Sequence, residues 1–560
     1  VVIALPLIIF PAAADRYQPV RGLALGVAGV LAALAASGRV ARSRTAHIAL
    51  GALAVAVVLA VVAAVAFGLP SAVFGVHGRF QGLASGLAAL VALGIGTAAA
   101  RRTRFITRVA ALAVAAQTLI VAWQLARGGL PTGSMGNEVL VGAWTAAGVA
   151  VVAAGARAEK GSVAVALWAS AAAGAIALGA IGSRGAWVGL AVAAVVLLLS
   201  ARGAALRMAA AGVVAAMLVG VALGGAPALA KLDPGALTSG SAAARFQIWT
   251  GTAAMIADNP ALGIGPGRFL YEFALYEPAE HARLEPGVRP DQAHSVLLQT
   301  AAESGVPAAL AALVFFGAVG AMAFRGARSG DAASLVALVG LAAWAGQATF
   351  GISTIETDGL AFFLAGVALA RGGVGGREKG AGAAHHDVPR VALLALSAVL
   401  VLSCAYYLRA DVLHKRGLDA FDSGNMTEAW RAETAAVEAN PLVDIYRCSA
   451  SDVAIWGGGP ASGAVTLLED GLDLEPQSYD LAVGVARVRA DMAPDAEALA
   501  AYLEAVERYP LGIEVRYEAM DLALRLGDEA TARTLAEDML EVYPDDPFAL
   551  DVMGRTAGAP

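Results

Sequence analysis

The stretch Ala244-Arg245-Phe246-Gln247-Ile248-Trp249 lies in a polar island that runs from about Gly225 to Ser295, with long apolar runs on either side. The island continues through Asn259-Pro260-Ala261-Leu262-Gly263-Ile264-Gly265-Pro266-Gly267 and ends in Asp291-Gln292-Ala293-His294. Upstream, Ser183-Arg184-Gly185 separates two apolar runs with almost no room for a loop. Polar sequence confined in this way, in so apolar a chain, belongs to loops at a membrane face. That reading fixes the class of fold as all-α.

Composition supports it. Of 560 residues, 58% are hydrophobic and 15% charged, with a mean hydropathy of +0.68. Ordinary soluble domains carry roughly 25% charged residues. Runs of the length that crosses a ~30 Å hydrocarbon core as helix recur through the first 410 residues. Thirteen candidate spans cover 1–13, 21–37, 46–68, 82–98, 105–126, 139–155, 162–181, 184–200, 206–224, 306–324, 332–350, 358–371 and 390–408. Their Ala, Gly, Leu and Val suit close packing between membrane helices. The chain opens on Val1 rather than on Met and is expected to lack its natural start.

Orientation follows from Lys and Arg in the short loops. One alternating set carries Arg39, Arg42 and Arg44; Arg101, Arg102 and Arg104; Arg157 and Lys160; Arg202 and Arg207; Arg325 and Arg328; and Arg371, Arg377, Lys379 and Arg390. The other carries only Arg16, Arg21, Arg79, Arg127 and Arg184 outside the island, and no basic residue between Gly351 and Thr357. The first set is read as cytoplasmic. The island, the Arg184 hairpin and everything after residue 408 then face outward.

Residues 409–560 are read as a separate domain with 12 Lys and Arg against 29 Asp and Glu, a net charge of −17. Such a tail excludes nucleic acid as a natural partner and suits a domain that stands off anionic lipid. It has a repeat. Pro441, Pro476, Pro510 and Pro544 are 35, 34 and 34 residues apart, and twelve residues before each stands Ala429, Ala464, Ala498 or Ala532. Gly424-Asn425 and Gly527-Asp528 fall where two helices of one unit would turn. The pattern resembles tetratricopeptide repeats, whose period is ~34 residues. It implies an α-solenoid with a groove for a protein partner.

Several features carry less. Cys404 lies in the last span and Cys448 in the tail, so no disulfide framework exists. Gly263-Ile264-Gly265-Pro266-Gly267 has neither a strand before it nor a Lys-Ser/Thr after it, and reads as a tight turn rather than a phosphate loop. His385-His386-Asp387 sits in a glycine-rich basic stretch and reads as a linker rather than a metal site.

The candidate chemistry sits in the island. Arg245 and Trp249 share a helix face at i, i+4. Asp291 is a natural N-cap, which predicts an interfacial helix from Asp291 to Ser304 with His294 in its first turn. There the positive helix end would keep the imidazole neutral, as a base must be. Glu303, nine residues on, falls on the opposite face and reads as a structural partner.

The ordered set Ser-Arg-Gly at 183–185, Arg-x-x-x-Trp at 245–249, Asn-Pro-x-x-Gly-x-Gly at 259–265, His294, and Glu-x-Gly at 303–305 resembles the O-antigen ligase and polymerase superfamily, over roughly residues 160–370. The resemblance implies a polytopic helical bundle of the C-type glycosyltransferase kind. Such an enzyme transfers a glycan from an undecaprenyl-diphosphate carrier to an acceptor hydroxyl at the outer face of the cytoplasmic membrane. It implies that Arg184 and Arg245 bind the donor diphosphate and that His294 is the base. Trp249, Gly263, Gly265, Asp291 and Glu303 would be supporting residues. In the family the histidine is often followed by Asn, here by Ser295. No cofactor and no metal is implied, because the sugar is already activated. The acceptor (a glycolipid, a glycan or a protein) stays open, as do ligation, polymerisation and protein O-glycosylation. A polysaccharide transporter would show ionisable residues at mid-membrane, which these spans lack. A non-catalytic scaffold would leave Arg184, Arg245 and His294 without a role.

Overall fold

The computed structural model describes residues 1–35, 38–200, 204–233, 235, 240–371 and 385–557. Arg202, Arg377 and Lys379 of the basic loop set lie outside the described residues, as do the side chains of Arg207, His385 and His386.

Twelve of the thirteen apolar runs become helices. The chain runs through α1 (Gln18–Ala35), α2 (Arg44–Phe67), a short α3 (Leu69–Phe74), α4 (Leu83–Ala99), α5 (Thr103–Ala126), α6 (Glu138–Ala156), α7 (Gly161–Ile181), α8 (Arg184–Ser200) and α9 (Ala204–Leu223). The island folds as α10 (Gly225–Ala230), α11 (Gly240–Asp258), α12 (Phe269–Phe273), α13 (Ala279–Leu284) and α14 (Val296–Ser304). Four more long helices follow: α15 (Val306–Arg328), α16 (Ala332–Ala348), α17 (Ile355–Arg371) and α18 (Arg390–Asp422). The expectation for 1–13 is corrected: it holds only a six-residue 3₁₀ helix, Val2–Leu7, with Pro6 inside it. Proline removes a backbone donor, so a regular α-helix is disfavoured there.

By length and composition, seven of the described helices are long and apolar enough to cross a membrane, and α4, α8, α16 and part of α9 are shorter apolar helices. The chain is therefore a multi-pass membrane protein. α6 runs through the middle of the bundle, with every residue from Leu140 to Ala156 buried. Small residues let its neighbours close in. At the α7–α9 crossing, a Cβ on Gly220 would lie 1.9 Å from the carbonyl oxygen of Ile176. Contact at that distance admits only glycine, and it brings the two backbones together without any hydrophobic drive from lipid.

The loops gather at two ends. At one end Arg39–Ala41 (β1) pairs antiparallel with His385–Asp387 (β2), Arg108 bonds Glu159 at 3.0 Å, and Arg371 pairs with Asp331. These belong to the basic set. At the other end Arg79 pairs with Asp291, Gln81 bonds the carbonyl of Ser353, and Arg184 bonds the carbonyl of Lys231. Arg21 and Glu356, both fully buried, form a 2.7 Å ion pair at that same end, where α1 and α17 begin. Carbonyls of Pro6, Ile8 and Ser134 take up the remaining guanidinium donors.

No break occurs at residue 408, where the domain boundary was expected. α18 runs unbroken from Arg390 to Asp422 and carries the chain out of the bundle. Behind it follow α19 (Met426–Ala439), α20 (Ile445–Gly457), α21 (Ala461–Leu474), α22 (Tyr479–Met492), α23 (Ala496–Arg508), α24 (Ile513–Leu526), α25 (Glu529–Val542) and α26 (Pro547–Arg555), each packed on the next. The four phased alanines, Ala429, Ala464, Ala498 and Ala532, are all fully buried. Gly424 and Gly527 hold positive φ at the turns inside their pairs, and Asn425 and Asp528 cap the helices that follow.

Candidate active site

Arg184 opens α8 directly after a two-residue connection in which Gly182 is left-handed. The Trp187 indole braces this hairpin by donating to the carbonyl of Leu178 at 3.0 Å. The Arg184 Nε donates to the carbonyl of Lys231 at 3.1 Å, which aims the guanidinium across the bundle end toward the island. Arg245 comes from α11. The two arginines line one polar cleft together with Glu138, Lys231 and Gln347. They also line an adjoining apolar cleft with Val188, Phe246, Trp249 and Phe350. Burial, and then the neighbouring charge of Arg184, pushes the Arg245 pKa down from its ordinary value. Two like charges held together in a partly dry place favour an anion between them.

His294 lies near Arg245, and its local structure differs from the expectation. α14 begins at Val296 with Ser295 as its N-cap, so His294 precedes the helix and is not in its first turn. Its φ is +49°, a left-handed conformation uncommon for a side-chain-bearing residue. Asp291 does not cap; it pairs with Arg79. The expected helix-end effect is therefore replaced by another cause. Burial, then the charges of Arg245, Arg79 and His281, pushes the His294 pKa down to about 4. Its ring is neutral at physiological pH. Its Nδ1 is shielded and has no hydrogen-bond partner among the described residues.

The backbone beside His294 is fixed through both polar groups of the preceding residue, Ala293. The Trp249 indole donates to the carbonyl of Ala293 at 2.8 Å, and the Ala293 amide donates to the Gln299 side chain at 2.7 Å. Ala293 itself is fully buried in a small island core with Ile248, Met255, Ile264, Phe269 and Phe273. Gln299 in turn donates to Glu303 at 3.0 Å, and Glu303 accepts the amide of Gly267 at 3.0 Å. Burial pushes the Glu303 carboxyl up to about 8, so it is protonated at neutral pH.

Glu303 thus joins the glycine turn to the histidine-bearing loop segment. The turn lies flat on the end of α14, where the amides of Ile264 and Gly265 donate to the carbonyls of Ala302 and Glu303. Gly263 has φ +68°, and a Cβ there would meet the Ala302 carbonyl oxygen at 2.3 Å. Only glycine satisfies both constraints. The Gly-x-Gly signal is therefore a packing device, as a tight turn requires.

The residues singled out in sequence converge at one end of the bundle. Sequence reasoning gave no role to Arg79 and Lys231. A signal was present: the loops at this end are poor in cations, so each cation there is conspicuous. Phe350, which stacks near Trp249 with ring centroids 5.8 Å apart, had no such signal. Among the described residues, no three His, Cys, Asp or Glu side chains converge as metal ligands.

No curated protein matches the chain. Residues 165–313, which carry Arg184, Arg245, the glycine turn and His294, match the family model described as O-antigen ligase, and this supports glycan transfer of the O-antigen ligase and polymerase kind in general.

Proposed function

We propose that the protein transfers a glycan from an undecaprenyl-diphosphate-linked donor to an acceptor hydroxyl at the outer face of the cytoplasmic membrane. One observation carries the reading. Arg184 and Arg245 share a cleft that is cationic on one side and aromatic and exposed on the other, with Phe246 55% exposed. A lipid diphosphate has that same division of polarity. The forked guanidiniums match its oxygens and answer the charge that grows as it leaves.

In the proposed step His294 takes the proton of the acceptor hydroxyl. The acceptor oxygen bonds to the anomeric carbon as the bond from that carbon to the phosphate oxygen breaks. The electron pair leaves with the diphosphate between the arginines. Attack from the opposite face inverts the anomeric centre, with no covalent enzyme intermediate and no metal. The loops at this end carry the fewer cations, which supports an outward site. The tail, read as a tetratricopeptide-like α-solenoid, would then lie outside too and offer its groove to a protein partner or acceptor.

The test is mass spectrometry of glycan-bearing products from the purified full chain in lipid nanodiscs, supplied with a lipid-diphosphate-linked glycan and separate glycolipid, glycan and protein acceptors. Inverted product on one acceptor, lost in His294→Ala, is expected. Donor unchanged with every acceptor, by a folded protein, would overturn the reading.

A further inference from the structure

The tail does not hang free of the island. Its edge formed by the turns between successive helix pairs lies against residues 268–289. Arg268 forms a 2.8 Å ion pair with Glu475, and both side chains are nearly buried. The Tyr271 hydroxyl donates to Asp444 at 3.0 Å. Arg283 donates to the carbonyl of Val542 at 2.7 Å, and the Tyr543 hydroxyl to that of Ala282 at 3.2 Å. These partners lie in or beside three turns of the same kind, those between Ala439 and Ile445, Leu474 and Tyr479, and Val542 and Pro547, so the turn between helix pairs is used several times over.

Arg289 is the contact nearest the candidate base. One of its Nη atoms bonds both carboxylate oxygens of Asp480, at 2.6 and 2.7 Å. Its guanidinium lies over the Tyr479 ring, 4.7 Å from the centroid, with Tyr509 at 6.0 Å. It lies five residues before His294 in the chain, and no helix lies between them. The segment has three further tethers: Asp291 to Arg79, and both backbone groups of Ala293 to Trp249 and Gln299.

The left-handed backbone of His294 explains why so many tethers matter. A side-chain-bearing residue held there costs on the order of 1 kcal/mol or more and stays only where its surroundings over-determine it. Release one end of the segment and the backbone can relax to an extended conformation, which swings the imidazole away. We propose that Arg289, clamped by Asp480 and Tyr479 of the tail, is a positioning residue that holds His294 in place, so that the helical tail is a working part of the candidate active site. This rests on the transfer reading for its kinetic consequence, but not for its structural one.

Besides burial, three groups bear on the charge of the His294 ring: Arg245 from α11, Arg79 from the loop before α4, and His281 from α13. Loss of the clamp should wet the ring and move it away from the arginines. The probe is diethyl pyrocarbonate, applied to the full chain in nanodiscs, with carbethoxylation of the His294 peptide followed by mass spectrometry against pH. In the wild type the labelling midpoint is expected near the depressed value of about 4. In Arg289→Ala and in Asp480→Ala it should rise by more than about one unit toward the ordinary ~6.5. Arg289→Lys, which keeps charge but loses the fork, should fall between. Transfer by the same variants should drop ~10- to 100-fold in kcat, with the donor KM within about twofold.

A protein that is merely less folded would expose its other buried histidines as well. A shift at His294 accompanied by equal new labelling of the His414 peptide overturns the clamp, whereas a shift with His414 labelled as in the wild type supports it. An unchanged midpoint in both alanine variants, or one already near 6.5 in the wild type, overturns the clamp. If the wild type transfers no glycan while the midpoint still shifts, the clamp stands and the transfer reading falls alone.

Discussion

The Trp249 indole donates to the carbonyl of Ala293 at 2.8 Å, so the helix that carries Arg245 is tied to the residue next to His294. The arginine and the histidine therefore move as one unit, although 49 residues separate them in the chain. Trp249→Phe keeps the aromatic wall against Phe350 and removes only the donor. A net hydrogen bond is worth ~0.5–1.5 kcal/mol, so transfer should fall about 3- to 10-fold with the protein still folded. Steady-state rates with the thermal midpoint measured alongside will check this. Wild-type rates would show that the tether is dispensable.

As the proposed base, His294 would set the acid limb of the rate. Its folded pKa, about 4, lies below the ordinary 6.5, so the neutral base persists on acidification until pH approaches 4. kcat/KM, which reports the free enzyme, should stay flat from pH 8 to about 5 where an ordinary histidine would have lost most of its activity. A bound diphosphate offsets the charges of Arg245 and Arg79, so the limb in kcat should lie higher than that in kcat/KM. The same sign holds for stability. The unfolded chain takes up a proton near 6.5 that the folded chain refuses until about 4, so acid in that window favours unfolding. Paired pH profiles of kcat and kcat/KM settle the assignment.

Arg184→Lys and Arg245→Lys should each lower kcat/KM by ~10- to 100-fold, although both keep the charge. A lysine offers a point charge where the forked guanidinium spans two oxygens. The sharper expectation concerns the pair. Both guanidiniums would grip the same diphosphate, so the two losses should not be independent, and the double variant should lose less than the product of the single losses. A double-mutant cycle on donor KM and kcat measures that coupling.

Glu303 is a buried acid that works while protonated. Its folded pKa, about 8, lies above the ordinary 4.5, so its stabilising contribution is complete below 4.5 and is lost as pH rises through 8. Glu303→Gln keeps an acceptor for Gly267 and Gln299 with no charge to bury. It should retain activity within about threefold and remove the alkaline loss of stability. Glu303→Ala strands the Gly267 amide and should destabilise by ~1–3 kcal/mol. Thermal midpoints between pH 7 and 9 separate the two.

Much of the fold was legible because membrane sequence obeys few rules. Backbone groups in lipid must be satisfied within a helix, so apolar runs near the right length translate into helices with little ambiguity. The exception, 1–13, contains Pro6 and Pro11, which local hydropathy does not weigh. The phase of the tail was legible too, because Ala429, Ala464, Ala498 and Ala532 sit where a larger side chain would not fit. What failed was local. Asp291 has the residue type of an N-cap, but Arg79, 212 residues away, takes its carboxylate, and the helix starts later. The tail's acidity read as a surplus for solvent or a partner. Part of it instead faces the chain itself, through Asp411, Asp444, Glu475 and Asp480. No single-sequence pattern encodes a pairing between residues 289 and 480, because each is an ordinary surface charge until the other arrives.

Sidedness is open to a direct measurement. The two ends of the bundle differ in cations, and the basic end should be cytoplasmic. The native thiols give little background: Cys404 is buried, and burial beside Asp444 pushes the Cys448 thiol well above its ordinary pKa. Cysteines at exposed positions then report each face. Leu130→Cys, in the loop between α5 and α6, and Ala496→Cys, at the start of α23, lie at the site end and in the tail. Ser329→Cys, just after α15, lies at the basic end. A membrane-impermeant maleimide added to intact spheroplasts should label the first two and spare the third until the membrane is opened. The reverse pattern would place His294 and the tail in the cytoplasm. A lipid-linked donor presented at the outer face could then not reach the arginine pair, and the proposed transfer would have to be abandoned.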